Sequence, residues 1–390
     1  MRLTIPSMDA DRLLAAALRH NRLAPDWGAG LREPLARLVE SCRSESRFSA
    51  FGSIAAAAEF GRLADNALAI ERAHAADPAA ATEPIRAPLF ITGLPRSGSS
   101  FLHALFACDP ASRAPLAWEA MCASPGEPPH RRIARTRRLF RIVALLRPRF
   151  RHIQPLAPML PQECITIMAH CFLSYQFHFA FRIPAYQAWL KSQDLLPSYL
   201  YHRRFLQVLQ RLDGAACRWV LKAPSHLFAL PALFACYPDA RILQLHRDPL
   251  VSITSMASFT QALRRMFTPA VDSAEIGREQ AELWAGGIAD ATGFRAQHPE
   301  LAGRFFDLRF AELRRDPLPA MEQIYGWLGW NFSPEAASAM RRFLADRQRR
   351  SHRRHSYEPE AFGLQREGEW RRFRNYSEQF GVAAEVEGTA

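Results

Sequence analysis

The chain has 390 residues, 48% hydrophobic and 23% charged, with 50 Lys and Arg against 38 Asp and Glu and a net charge of +12. That length buries a large core as one big domain or two, and the composition is that of an ordinary globular protein rather than a disordered or fibrous one. The positive balance suits an anionic cofactor, an anionic acceptor, a membrane surface or nucleic acid, and does not choose among them.

Residues 1–7 lack the apolar core of a signal peptide, and no run of about 18 apolar residues marks a membrane span. From Met8 to residue 85 the pattern is helical. Met8-Asp9-Ala10-Asp11 reads as a capping region before Leu13–Leu18, and alanine-rich amphipathic stretches follow around 54–76. A Pro/Ala linker at 77–88 leads into Leu89-Phe90-Ile91, a buried strand that enters a turn from Gly93 to Gly98. Ser99 to Phe106 then reads as a helix. Residues 115–215 form a long, mostly helical insertion. In it, arginines at 131, 132, 135, 137, 138, 141, 147, 149 and 151 alternate with apolar residues as a basic amphipathic helix. That helix is either a solvated face or one that lies on an anionic membrane surface. The aromatic run Phe172–Phe181 is either core packing or the wall of an apolar acceptor pocket. Further strands are expected at 218–222, 240–246 and 304–309, with helices at 227–236 and from Pro249 onward.

Alternating strands and helices predict an α/β fold, a three-layer sandwich with a central parallel sheet and large helical insertions. Residues 1–85 are expected as an N-terminal helical segment packed on the core. Residues 86–390 are expected as the α/β domain, with the insertion at about 115–215. Seven scattered cysteines, at 42, 108, 122, 164, 171, 217 and 236, lack a C-x-x-C pair. They fit neither a disulfide scaffold nor structural zinc, and a cytoplasmic location is expected. No metal-ligand set is evident, and oligomeric state is not legible.

The strand, glycine turn and helix at 89–106 place backbone N–H groups and a positive helix end around an anion-sized hollow. Gly93 and Gly98 have the spacing of a phosphate-binding loop, but Ser99 stands where that pattern needs lysine. The basic residue of the loop is Arg96. Taken alone, such a turn also occurs where nothing binds, and Arg247 also suits a plain ion pair with Asp248. Ligands of parallel sheets sit beyond the carboxyl ends of the strands. Arg96, Lys222 and Arg247 all fall there, which points to a polyanionic nucleotide.

Pro95-Arg96-Ser97-Gly98-Ser99-Ser100-Phe101-Leu102 resembles the 5′-phosphosulfate loop of sulfotransferases that use 3′-phosphoadenosine 5′-phosphosulfate (PAPS). Trp219-Val220-Leu221-Lys222-Ala223-Pro224-Ser225-His226-Leu227 and His355-Ser356-Tyr357 through Phe362-Gly363-Leu364 match further elements of the bacterial branch of that family. Ser99 departs from the more usual threonine and keeps its hydroxyl.

The resemblance implies that Gly93, Pro95, Arg96, Ser97, Gly98, Ser99 and Ser100 hold the phosphosulfate, and that Arg247 and Ser255 hold the 3′-phosphate. It implies that Arg96 and Lys222 bind the transferring sulfuryl group and the leaving phosphate. The general base is then Glu119, preferred, or His226. One or two of Arg341, Arg342, Arg347, Arg349, Arg350, Arg353 and Arg354 are expected at the 3′-phosphate, with His355 and Tyr357 bordering the site. The implied reaction is in-line sulfuryl transfer to a hydroxyl, less favourably an amine, of a small-molecule, lipid or glycan acceptor. A phosphate-loop kinase or a non-catalytic nucleotide binder are the alternatives. A nucleic-acid partner is not expected, because the basic segments form no recognisable reading module.

Overall fold

The computed structural model describes residues 8–146, 155–214, 217–349 and 358–385. Five strands form one all-parallel sheet: β1 (Leu89–Gly93), β2 (Ser112–Arg113), β3 (Arg218–Lys222), β4 (Arg241–His246) and β5 (Phe305–Arg309). Their order is β2-β3-β1-β4-β5, with Ile91 beside Lys222 and Gly93 beside Leu245. The central strand β1 is buried at every residue, as a strand covered on both faces must be. The four strands expected from the sequence are present. The fifth, β2, is two residues long and has no periodicity to read. Asp109 builds it: its carboxylate accepts the Ala111 N–H at 2.9 Å and takes Arg218 at 2.7 Å and the Tyr325 hydroxyl at 2.8 Å.

Successive strand residues point to opposite faces, and each face has its own helical layer. On one, Leu89, Ile91, Val220, Leu243, Leu245 and Leu308 pack with Leu102, Leu105 and Phe106 of the helix Ser99–Phe106 and with Leu313, Met321 and Tyr325. On the other, Phe90 meets Tyr237, and Phe234 lies between Phe294 and Phe305. This is the three-layer α/β sandwich.

The chain divides into two compact units. Residues 86–114, 217–258 and 272–390 form the sheet unit, while 1–85, 115–216 and 259–271 form a helical one. The N-terminal helices, Ala10–Asn21, Ala29–Glu45 and Ala50–Ala76, are thus grouped with the 115–216 insertion rather than standing as a separate segment. Asp9 and Ser49 cap the first and third of them, accepting the N–H groups of Arg12 and Gly52 at 2.9 Å. The aromatic run in the insertion is core. Phe172, Phe177 and Phe181 are buried and meet Phe60 edge to face. In the helix Pro129–Leu146, Arg132 and Thr136 are buried. Arg131, Arg135, Arg137, Arg138 and Arg141 are exposed, together with Ile142 and Leu145, the last 81% accessible. The basic residues expected at 147, 149 and 151 lie outside the described residues.

Two outcomes follow from this packing. Gly93 has φ +123°, and a Cβ there would stand 2.1 Å from the Leu245 carbonyl oxygen, so both its backbone and its lack of a side chain are required. Gly93→Ala should cost about 3 kcal/mol in denaturant unfolding, whereas Gly286→Ala, in open space within a helix, should be neutral or stabilising. Equal stability of Gly93→Ala and wild type would contradict this.

Burial pushes the pKa values of His103, His170 and His202 from 6.5 down to about 3, with Lys222 adding to the effect at His103 and Arg62 at His170. The folded state holds them neutral, so their contribution is fully present above pH 6.5 and is lost as pH falls from there toward 3. Urea midpoints should therefore drop steadily between pH 6.5 and 4.5. Flat midpoints across that interval would show that these rings take up protons in place.

Candidate active site

The loop after β1 turns through three left-handed positions, Gly93 (φ 123°), Arg96 (φ 62°) and Gly98 (φ 90°). The Ser97 hydroxyl, fully buried, donates to the Leu94 carbonyl at 2.6 Å and closes the loop from inside. A Cβ at Gly98 would reach the Phe310 ring at 2.9 Å, so glycine permits the close approach. The helix Ser99–Phe106 begins immediately after. The N–H groups of its first turn have no carbonyl behind them in the helix and carry the positive end of its dipole.

Lys222, ending β3, is held against this helix start. Ala223 N–H donates to Ile91 at 3.2 Å, and the Thr92 hydroxyl lies 3.1 Å from the Ala223 carbonyl, tying together the turns that follow β1 and β3. Lys222 is 2% exposed, and its Nζ donates to Ser100 Oγ at 2.9 Å. Ser100 itself is exposed, so the buried ammonium is hydrogen-bonded to a residue at the surface of the loop helix. Three residues further along the helix, His103 lies within 3.1 Å of the Val220 carbonyl. Burial, with Lys222 adding to it, holds the His103 ring neutral.

Arg247 follows β4. Its Nη1 donates to the Arg96 carbonyl at 2.7 Å, and its guanidinium carbon stands 4.1 Å from the centre of the Phe310 ring. Arg96 in turn donates from Nε to Ser255 Oγ at 3.2 Å. Arg96, Arg247 and Ser255 are therefore one hydrogen-bonded group. The carboxylate paired with Arg247 is Glu385, bound at 2.7 and 2.8 Å, and not the neighbouring Asp248. Asp248 is committed elsewhere, accepting Leu250 N–H at 2.8 Å and Glu385 N–H at 2.7 Å.

The two candidate bases fall in different units. Glu119 is buried in the short helix Ala117–Met121, where Oε2 accepts the Leu116 N–H at 2.7 Å. Burial lowers the Arg132 pKa, and the Glu119 carboxylate opposes that shift; the Arg132 guanidinium lies 4.6 Å above the Trp118 ring. His226 is fully buried, edge-on to Phe90 with ring centres 5.0 Å apart.

Of the arginines at 341–354, Arg347 sits 4.7 Å over Phe101, next to Ser100 on the loop helix. Arg342 donates to Ser338 at 2.9 Å, Arg349 pairs with Asp346, and Arg341 is exposed. Arg350, Arg353, Arg354, His355 and Tyr357 lie outside the described residues. Sequence reasoning did not find His103, Phe310 or Glu385. Phe310 had a weak signal, as an aromatic just past a strand's carboxyl end. Glu385 had none, since it is a lone acid far along the chain from Arg247.

Similarity to known proteins bears on this site. The sequence profile of the sulfotransferase family matches residues 88–334. An omega-hydroxy-beta-dihydromenaquinone-9 sulfotransferase, Stf3, of Mycobacterium bovis is 25% identical over 274 residues, covering 66% of this chain and 67% of its own. The crystal structure of sulfotransferase STF1 from Mycobacterium tuberculosis superposes with a TM-score of 0.78 at 30% identity, over 95% of this chain and all of that one. STF9 from Mycobacterium avium shares the fold, with a TM-score of 0.87 at 24% identity, over 99% of this chain and all of that one. With the profile spanning all five strands of the sheet and the segments that follow β1, β3 and β4, the chain belongs to the sulfotransferase family and is an enzyme that takes a sulfuryl group from a donor co-substrate.

Proposed function

We propose that the donor is PAPS and that the acceptor is a hydroxyl on a lipid or similarly apolar small molecule. The observation that carries the donor assignment is the convergence of Lys222, Arg96 and Arg247 on the helix start after β1. Two anionic ends need two separate cationic subsites. Lys222 with the N–H groups behind Gly98 suits the phosphosulfate, and Arg247 with Ser255 suits the 3′-phosphate. Gly93, Pro95, Ser97, Gly98, Ser99 and Ser100 shape the first subsite.

The donor supplies an activated sulfuryl group, whose S–O bond to the 5′-phosphate breaks as the acceptor oxygen bonds sulfur. Arg96 and Lys222 hold the charge that builds on the transferring group and the leaving oxygen. Glu119, 23 residues after Arg96 and beyond the loop and its first helix, takes the acceptor's proton. His226, enclosed against Phe90, is the weaker candidate. A lipid acceptor is supported by the relative named for a menaquinone substrate, and a glycan hydroxyl is the other acceptor class that the arginines suit. Seven free cysteines fit a reducing cytoplasm.

No described helix is long and apolar enough to cross a membrane. Instead, the helix Pro129–Leu146 carries Ile142 and Leu145 on an arginine-bearing exposed face, which suits peripheral contact with an anionic lipid surface.

The test is transfer from labelled PAPS to long-chain alcohols, phenols and oligosaccharides. Lys222→Ala should lower turnover on the order of 10²–10³. Glu119→Gln should lower it with PAPS binding spared, and near-wild-type transfer by Glu119→Gln would remove Glu119 as the base. Co-sedimentation should show binding to phosphatidylglycerol vesicles, lost in Arg138→Glu/Arg141→Glu. Equal binding of both proteins, or equal binding to neutral vesicles, would refute the membrane contact.

A further inference from the structure

Arg247, the arginine assigned to the 3′-phosphate, is already holding an anion. Its Nε and Nη2 donate to the two oxygens of Glu385 at 2.7 and 2.8 Å, and its Nη1 donates to the Arg96 carbonyl at 2.7 Å. Both side chains are largely enclosed, 14% exposed for Arg247 and 21% for Glu385. The Nε and Nη2 edge is the fork that recognises a carboxylate or a phosphate with two parallel bonds. Glu385 uses that whole edge.

The segment that delivers Glu385 is anchored at three consecutive residues, His246 at the end of β4 and Arg247 and Asp248 just after it. The His246 ring stacks on Phe380 with centres 4.0 Å apart, and its Nδ1 lies 3.2 Å from the Tyr376 hydroxyl. Val382 N–H donates to Ser377 at 2.8 Å, turning the chain back after Phe380. Glu385 N–H then donates to Asp248 at 2.7 Å. With Tyr376 and Phe380 fixed on His246 and the Glu385 backbone fixed on Asp248, the carboxylate meets Arg247 by construction and not as a chance surface pair. Every contact lies within the sheet unit.

We propose that Glu385 is an affinity-setting residue of the nucleotide site, a carboxylate built into the chain that competes with the nucleotide's 3′-phosphate for Arg247. The inference rests on the PAPS reading. A ligand with a 3′-phosphate has to displace Glu385 to reach the fork, and its apparent affinity falls by the fraction of molecules in which the fork is taken. A ligand with only the 5′-phosphate leaves the pair intact. Glu385 therefore sets how strongly the donor and the 3′,5′-bisphosphate product are held, without touching the subsite at Lys222.

Calorimetric dissociation constants for adenosine 3′,5′-bisphosphate and adenosine 5′-phosphate separate the possibilities. Glu385→Gln and Glu385→Ala should bind the bisphosphate about 5- to 10-fold more tightly than wild type and the monophosphate within about two-fold. Arg247→Ala should lose the bisphosphate preference, and adding Glu385→Ala to it should change nothing further. Unchanged or weaker bisphosphate binding by both Glu385 variants, with Arg247→Ala still impaired, overturns the competition and leaves the donor assignment standing. Absence of any bisphosphate preference in wild type, unaltered by Arg247→Ala, overturns the donor assignment and the competition together. Thermal melts of each variant establish that the fold is retained.

Discussion

The close approach of β1 to β4 at Gly93 is the constraint on which the site depends. The backbone there adopts a conformation open to glycine and lies against the Leu245 carbonyl, leaving no room for a side chain. That contact ends the strand abruptly and sends the chain into a loop with Arg96 and Gly98 also left-handed. Three left-handed residues in six turn the chain tightly ahead of a helix start, the kind of backbone that gathers N–H groups for an anion. A looser exit from β1 would lengthen the loop and scatter those donors.

The charges around the loop are arranged by the same sheet. Parallel pairing brings the ends of β3 and β4 to either side of β1, so Lys222 and Arg247 reach the loop from opposite flanks. Burying an ammonium is costly unless it is hydrogen-bonded, and Lys222 meets that demand at Ser100. The neutral ring of His103 beside it is the second part of the arrangement. At Arg247 the neutralisation is done by Glu385, so the two flanks are built differently: Lys222 is hydrogen-bonded to a hydroxyl of the loop helix, and Arg247 is held by a carboxylate from far along the same chain.

Much of the fold was legible because its signals are local. Leu89-Phe90-Ile91 and Ile242-Leu243 are apolar runs of strand length, and Gly93, Gly98 and Pro249 punctuate them as backbone geometry requires. The residues of the loop could be named for the same reason. The rest depends on distant partners. Strand β2 exists through Asp109, Arg218 and Tyr325, none of which signals a strand. The grouping of residues 1–85 with the insertion depends on side chains far apart in sequence, as with Phe60 against Phe172 and Phe181. The ion pair with Asp248 that adjacency offered Arg247 as an alternative is not formed, because sequence shows adjacency and not direction; Asp248 caps the next helix and leaves the fork to Glu385.

The central claim is that this sheet edge recognises a nucleotide by a phosphate at its 3′ position. The most direct test is titration of the wild-type protein with adenosine 3′,5′-bisphosphate, ATP and adenosine 5′-phosphate under one set of conditions. The account predicts selective binding of the bisphosphate over both others, ATP included despite its greater charge. Binding of ATP as tight as or tighter than the bisphosphate would contradict it and would return the edge to a kinase-like phosphate site.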